Sequence, residues 1–138
     1  MSVNLKIWEL ISIVLSTLVT GVFWGPWVAL SRSISTFAPE VFLAIVNRLS
    51  RNIAPVMTVL MPAALWSMVL VLFLSFSEDR GPRTFYLTMA GFALFLAALL
   101  ITIIVEVPMV KQIETWRVSN LPGNWQELRD RWLAFHVI

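Results

Sequence analysis

An all-α helical bundle embedded in a membrane is the fold class this sequence predicts. Hydrophobic residues make up 59% of its 138 residues and charged residues 13%. That is more apolar surface than a soluble domain of this size can hide, because small domains have too much surface for their volume. Three segments are each long and apolar enough to cross a bilayer, which takes about twenty residues. Between and after them lie the Pro-Gly turns and most of the charges. The chain therefore reads as one membrane domain over residues 1–138, with lipid as its solvent.

The first span is expected at about 7–30. It is too long for a signal-peptide core, and no small-x-small cleavage site follows it. The second is expected at about 53–76, with Pro55 in its first turn and Pro62 kinking its interior. The third is expected at about 85–107, ending at Pro108. Between the second and third, SEDRGPRT has four charges, a Gly-Pro pair and no apolar run, so it is a loop. Two amphipathic segments complete the chain. In 38–52, Phe42, Ile45, Val46 and Leu49 share a helical face, and Pro39 suits the first turn. In 124–138, Asn124 reads as an N-cap after the Pro122-Gly123 break, with Glu127 three residues on. Trp125, Arg129, Trp132 and His136 then follow at spacings of four, three and four, so they share a face. Glu127 and Arg131 are spaced for an ion pair.

Composition excludes several chemistries. The chain has no cysteine, so disulfides, thiolate metal sites and thiol redox chemistry are out, including that of four-helix membrane thiol oxidoreductases. One histidine cannot hold a haem from both sides, and a multi-histidine metal site is not expected. No metal and no cofactor are predicted. A net charge of +2 gives no case for nucleic acid. No Walker loop, dinucleotide fingerprint, zinc-protease motif or serine-nucleophile elbow is present.

The basic residues set an expected orientation. Lys6, Arg80 and Arg83 fall on one side, and Arg32, Arg48, Arg51, Lys111, Arg117, Arg129 and Arg131 on the other. The positive-inside rule puts the amphipathic loop and the C-terminal tail in the cytoplasm and the N-terminus outside, in the plasma (inner) membrane. Small residues four apart (Thr17, Gly21, Gly25; Ala63, Ser67; Ala93, Ala97) suit close helix packing, within the chain, with a second copy or with a membrane partner. Trp8, Trp24, Trp27, Trp116, Trp125 and Trp132 lie near span ends or in the tail, as interfacial belts do.

Two residues stand out for chemistry. Glu106 closes the apolar run LLITIIVEVP. An ionisable group at membrane depth is costly, and its default reading is a base or proton carrier. The structural alternative is a hydrated carboxylate at headgroup level, paired with Lys111 or an arginine. His136 is the one side chain whose ordinary titration falls near physiological pH. On its helical face it is either an acid/base group against an aromatic wall or part of an interfacial helix. Glu9 fits a helix N-terminus. Asn120 and Asn124 fit turn and cap positions, and Asn120 is also carried as a substrate-facing candidate. Arg48 and Arg51 suit anionic lipid.

TGVFWGPW (20–27), TIIVEVPMVKQIETW (102–116) and LPGNWQELRDRWLAFH (121–136) together resemble the anthrone oxygenase-like family of small four-helix membrane proteins. The resemblance rests on Val107, Pro108, Trp116, Pro122, Asn124, Trp125, Arg129, Arg131, Trp132 and His136. Val110 stands where the family commonly has asparagine, and Glu106 where it has an amide or a small residue. The resemblance implies a further arginine and a fourth transmembrane helix after Ile138. It also implies oxygenation of anthrones to anthraquinones without a cofactor. In that scheme His136 or Glu106 would be the base, Arg129 would stabilise the enolate, and Trp125 and Trp132 would line the pocket for a hydrophobic small molecule. Two other readings stand beside this one: a non-catalytic membrane subunit that packs with a partner or itself, and a small transporter.

Overall fold

The computed structural model describes residues 3–77 and 82–135. Its elements are α1 (Val3–Leu30), a 3₁₀ turn (Ile34–Thr36), α2 (Pro39–Ser77), α3 (Pro82–Ile101), a π turn (Thr102–Glu106), α4 (Val107–Glu114), a second 3₁₀ turn (Val118–Asn120) and α5 (Trp125–Phe135). The architecture is all-α among the described residues. Three helical stretches, Val3–Leu30, Pro39–Ser77 and Phe85–Glu114, are long and apolar enough to span a membrane. Residues 78–81 of the SEDRGPRT loop lie outside the described residues, as does His136.

The structure differs from the sequence reading at two prolines. The amphipathic segment 38–52 and the second span form one continuous helix of 39 residues. Pro55 therefore sits inside α2, not in a first turn. The carbonyl it frees belongs to Arg51, an exposed residue. Pro39 opens the helix instead, where a missing N–H costs nothing, and Glu40 lies against the positive end of the dipole. The second difference is at Pro108. The helix does not stop there. It widens into the π turn, and the Val107 N–H donates to the Thr102 carbonyl five residues back. A straight α-helix would drive the Pro108 ring into the Ile104 carbonyl. The wider turn makes room, and Pro108 falls in the first turn of α4.

The chain divides into two compact units. The first comprises residues 1–20 and 57–100. Leu5, Ser12 and Val19 of α1 and Met61, Ala64, Leu65, Met68 and Val71 of α2 are its buried residues that recur at helical spacing. Most of α3 keeps its apolar side chains exposed, as a lipid-facing helix does. The second unit comprises residues 21–56 and 101–138. Its core gathers Ile34, Phe42, Leu43, Val46, Ile113, Trp116 and Trp132. Trp116 and Trp132 are thus core residues and not an interfacial belt. Trp24, by contrast, is exposed, 5.1 Å from Trp27. Nothing lies within 4 Å of a Cβ built at Gly21 or Gly25, so that face of α1 is open.

Phe42 is the centre of the second core. It is 0% exposed, with its ring 6.1 Å from Trp132, edge-on, and 6.2 Å from Trp125, tilted. Such pairs add about 0.5–1.5 kcal/mol each beyond burial. Phe42→Ala should cost about 3–5 kcal/mol. Val41→Ala, one residue away on an exposed face, should cost under about 1 kcal/mol. Thermal melts in detergent compare the two; equal losses would remove Phe42 from the centre of this core.

Candidate functional site

The second unit holds every described residue singled out for chemistry. Glu106 is the last residue of the π turn and is 8% exposed. The Thr102 hydroxyl, one turn back on the same segment, donates to its Oε2 at 3.4 Å. The extra residue in the π turn shifts the helical faces that follow it, so a carboxylate that closes an apolar run is turned inward. Helix α5 packs against this π turn. A buried carboxylate thereby meets the element that carries Trp125, Arg129 and Trp132.

Helix α5 forms where the Pro122-Gly123 turn ends. The Trp125 N–H donates to the Pro122 carbonyl at 3.1 Å, and the Leu128 N–H to the Asn124 carbonyl at 3.2 Å, which places Asn124 at the helix mouth. Arg129 is 7% exposed. Its Nε donates to Asp130 Oδ1 at 2.9 Å and its Nη1 to the Ser35 carbonyl at 3.0 Å. Nη2 lies 2.9 Å from the same Asp130 oxygen. The guanidinium also stands over the Trp125 ring, 5.2 Å from its centroid. It therefore ties α5 to the turn between α1 and α2. Glu127 and Arg131, spaced for an ion pair, do not form one. Asp130, adjacent to Arg129, supplies the carboxylate instead.

The sequence-predicted candidates thus separate. Glu106, Arg129, Trp125 and Trp132 lie on elements that meet. Asn120 is exposed, in the second 3₁₀ turn, with its N–H on the Arg117 carbonyl at 2.9 Å. His136 lies outside the described residues. Trp132 borders a recess of about 10 Å³, together with Pro26, Trp27, Ile34 and Leu133. That is about room for one water and far short of a ring system. A wider, open groove of about 490 Å³ runs along α2, walled by Leu30, Val41, Ala44, Ile45 and Leu49, with Glu40 and Arg48 at its edge. Sequence reasoning missed this groove. Its signal was present, since 41, 44, 45, 48 and 49 recur at helical spacing along one flank of the face that Phe42 and Val46 occupy.

A helical membrane protein with a guanidinium buried beside an aromatic cluster and a buried carboxylate on a neighbouring element is the class these features define. The chain belongs to the anthrone oxygenase family, whose sequence model, described as anthrone oxygenase, matches residues 51–138. No curated protein and no solved structure matches the chain. The matched range holds the π turn, α4 and α5. Residues 20–27 and the wall of the groove fall before it.

Arg129 offers a direct test of how the site is held. Arg129→Ala removes the donor to Ser35 and leaves that carbonyl to find water, at a cost of about 1–3 kcal/mol. Asp130 is 60% exposed, so Asp130→Asn should cost under about 1 kcal/mol, the pair being screened by solvent. Hydrogen exchange should quicken across α5 in Arg129→Ala well before it does in α2. Lysine cannot fork and stack as the guanidinium does, so Arg129→Lys should fall between. Unchanged α5 exchange in Arg129→Ala would mean that the pin carries no weight.

Proposed function

We propose that this protein is a membrane oxygenase that oxidises a flat, hydrophobic, anthrone-like phenolic molecule without a cofactor. The observation that carries the reading is the buried Glu106 carboxylate on a π turn packed against α5, in a chain of this family. The chemistry asks little of the protein. A base takes one proton from the ring carbon between the two aromatic rings. The electron-rich anion that remains combines with dioxygen, forming a carbon–oxygen bond and leaving a peroxide. A second proton then leaves the same carbon as the oxygen–oxygen bond breaks. Water departs, and a ketone stands where the methylene was. The substrate is oxidised by four electrons to the quinone, and one dioxygen takes them, one atom entering the ketone and the other leaving as water.

Glu106 serves as the base in this scheme, with His136 as the alternative. Arg129 stabilises the enolate. A guanidinium has five N–H donors, and three are engaged by Asp130 and Ser35, which leaves two for an anionic oxygen. Trp125 and Trp132 supply the apolar, aromatic surroundings. In the membrane, the turn between α1 and α2 and the tail face the cytoplasm, and the N-terminus faces outward, in the plasma membrane. The excess of basic residues on that turn and tail supports this orientation.

Purified protein given an anthrone should consume one dioxygen for each molecule converted, measured at an oxygen electrode with the quinone followed by absorbance. Glu106→Gln should slow uptake about 10²- to 10⁴-fold, the usual worth of a general base. Uptake unchanged in Glu106→Gln but lost in His136→Ala would move the role to His136. Folded wild-type protein that takes up no oxygen above buffer would sink the anthrone-like substrate.

Orientation has its own test, since the chain has no cysteine to remove. A single cysteine at exposed Ser33 or Ser119 should react with an impermeant maleimide only in inside-out vesicles, and one at exposed Asn4 only in intact cells. The reverse pattern would invert the topology.

A further inference from the structure

Arg129 takes its carboxylate from an unexpected place. Adjacent side chains on a helix point about 100° apart, and an acid that steadies a helix stands three or four residues from its base. For Arg129 those positions hold Trp125, Gln126, Trp132 and Leu133, none of them an acid. Asp130, the next residue, reaches back instead. Its Oδ1 accepts from Nε at 2.9 Å and lies 2.9 Å from Nη2.

Stability is not what this contact adds. Asp130 is 60% exposed, and an ion pair so open to water is worth little. The contact adds orientation. A guanidinium is flat and rigid. The Ser35 carbonyl holds Nη1 at 3.0 Å, and the Trp125 ring centroid lies 5.2 Å from Cζ. Those two contacts alone let the plane pivot about Nη1 across the face of the ring. A grip on the other edge, at Nε and Nη2, stops the pivot. The engaged N–H groups are then the one on Nε, one on Nη1 and one on Nη2, so one remains on each terminal nitrogen. Exposure matters in a second way. Water screens the Asp130 charge, so the carboxylate fixes the guanidinium without cancelling the positive charge that an anion needs. A buried carboxylate in its place would cancel far more of it.

We propose that Asp130 is a positioning residue, which sets the plane of the Arg129 guanidinium so that the free N–H on each terminal nitrogen meets an anionic oxygen. The inference rests on the role given to Arg129 in the proposed reaction and adds the residue that keeps Arg129 fit for it. Losing Asp130 disturbs an orientation and leaves the fold intact.

Two measurements separate this role from the reaction. The first needs no substrate. In protein carrying isotope-labelled arginine, read by NMR in detergent, the Arg129 Nε–H is the signal missing from Arg129→Lys, and it should exchange slowly with water. Asp130→Ala should quicken that exchange about tenfold, as loss of a charge-assisted hydrogen bond does, while backbone exchange across α5 stays at the wild-type rate. The second is turnover. The anion forms only during the reaction, so Asp130→Ala should lower kcat for an anthrone about tenfold and leave KM within about twofold. Asp130→Glu keeps the carboxylate and should recover most of the loss. Glu127→Ala, which removes an exposed acid from the same helix, controls for net charge and should match wild type. Nε–H exchange still slow in Asp130→Ala would overturn the proposal, with or without turnover. So would quickened backbone exchange across α5 in that variant, since the role would then be structural. Quickened Nε–H exchange alone, in a protein whose wild type takes up no oxygen, would uphold Asp130 as the residue that orients Arg129 and defeat only the oxygenase reading. Oxygen uptake that Asp130→Ala leaves at the wild-type rate would uphold the oxygenase and overturn this inference.

Discussion

Burial of the Phe42 ring between Trp125 and Trp132 is the contact on which the second unit depends. Those two residues come from a helix of only 11 residues, too short to hold its shape alone in water. Helix α5 persists because it has something to lie on. Phe42 supplies the surface, and Trp116 and Ile113 of the preceding segment extend it. Once α5 is docked, the Arg129 guanidinium is carried within reach of the Ser35 carbonyl, and a hydrogen bond spanning 94 residues of sequence closes the tail onto the turn between α1 and α2. Hydrophobic contact thus comes first in the causal order. A guanidinium is too costly to bury unless its donors already have acceptors waiting.

Pro108 has the opposite character, a local constraint with a distant effect. A straight α-helix through that position would collide with its own carbonyl. The π turn relieves the collision within one stretch of chain and also changes which side of the helix the next residues face. Glu106 is the residue on which this acts most directly. Its neighbours Ile103 and Ile104 remain exposed, while its own carboxylate is buried. The π turn that accommodates this proline thus ends in a charged group that is buried although it closes an apolar run. The Thr102 contact, at 3.4 Å, is long for a hydroxyl donor and is a weak restraint.

What was legible in the sequence follows the same division. The three spans were readable because runs of about twenty mostly apolar residues suit lipid and little else. The α5 face was readable from spacing alone, since 125, 129 and 132 repeat at helical intervals and Trp125 and Trp132 do share the Phe42 core. The continuity of α2 was not readable. Pro55 resembles a helix start, yet the helix runs through it, and the carbonyl it frees belongs to an exposed residue, Arg51. Nor was the ion pair readable. Spacing favours Glu127 with Arg131, but the pair that forms joins Arg129 to its chain neighbour Asp130, and the burial that holds Arg129 in place is decided by tertiary packing. The tryptophans mislead for that reason as well. Trp116 and Trp132 sit near span ends, as interfacial residues do, but an adjacent aromatic core offers them more than a headgroup layer.

The two charged groups at the heart of this unit are held in different ways, and that difference bears on chemistry. Arg129 is held from three directions, by Asp130, by Ser35 and by the Trp125 ring, so its remaining donors point in a set direction. Stabilisation of a developing anion requires such fixed donors, because they need not reorganise when the charge appears. Glu106 is placed by the π turn, and its contact with Thr102 is to a hydroxyl. A base must pass between an ionised and a protonated state and must give its proton up again. A hydroxyl donates to the carboxylate and, by rotating, accepts from the carboxylic acid, so the same partner serves both states. A guanidinium in that position could serve only one, since it has no acceptor to offer. The oxygenase proposed above would draw on this difference, with the rigid guanidinium holding charge and the carboxylate, which has the Thr102 hydroxyl among its partners, moving a proton.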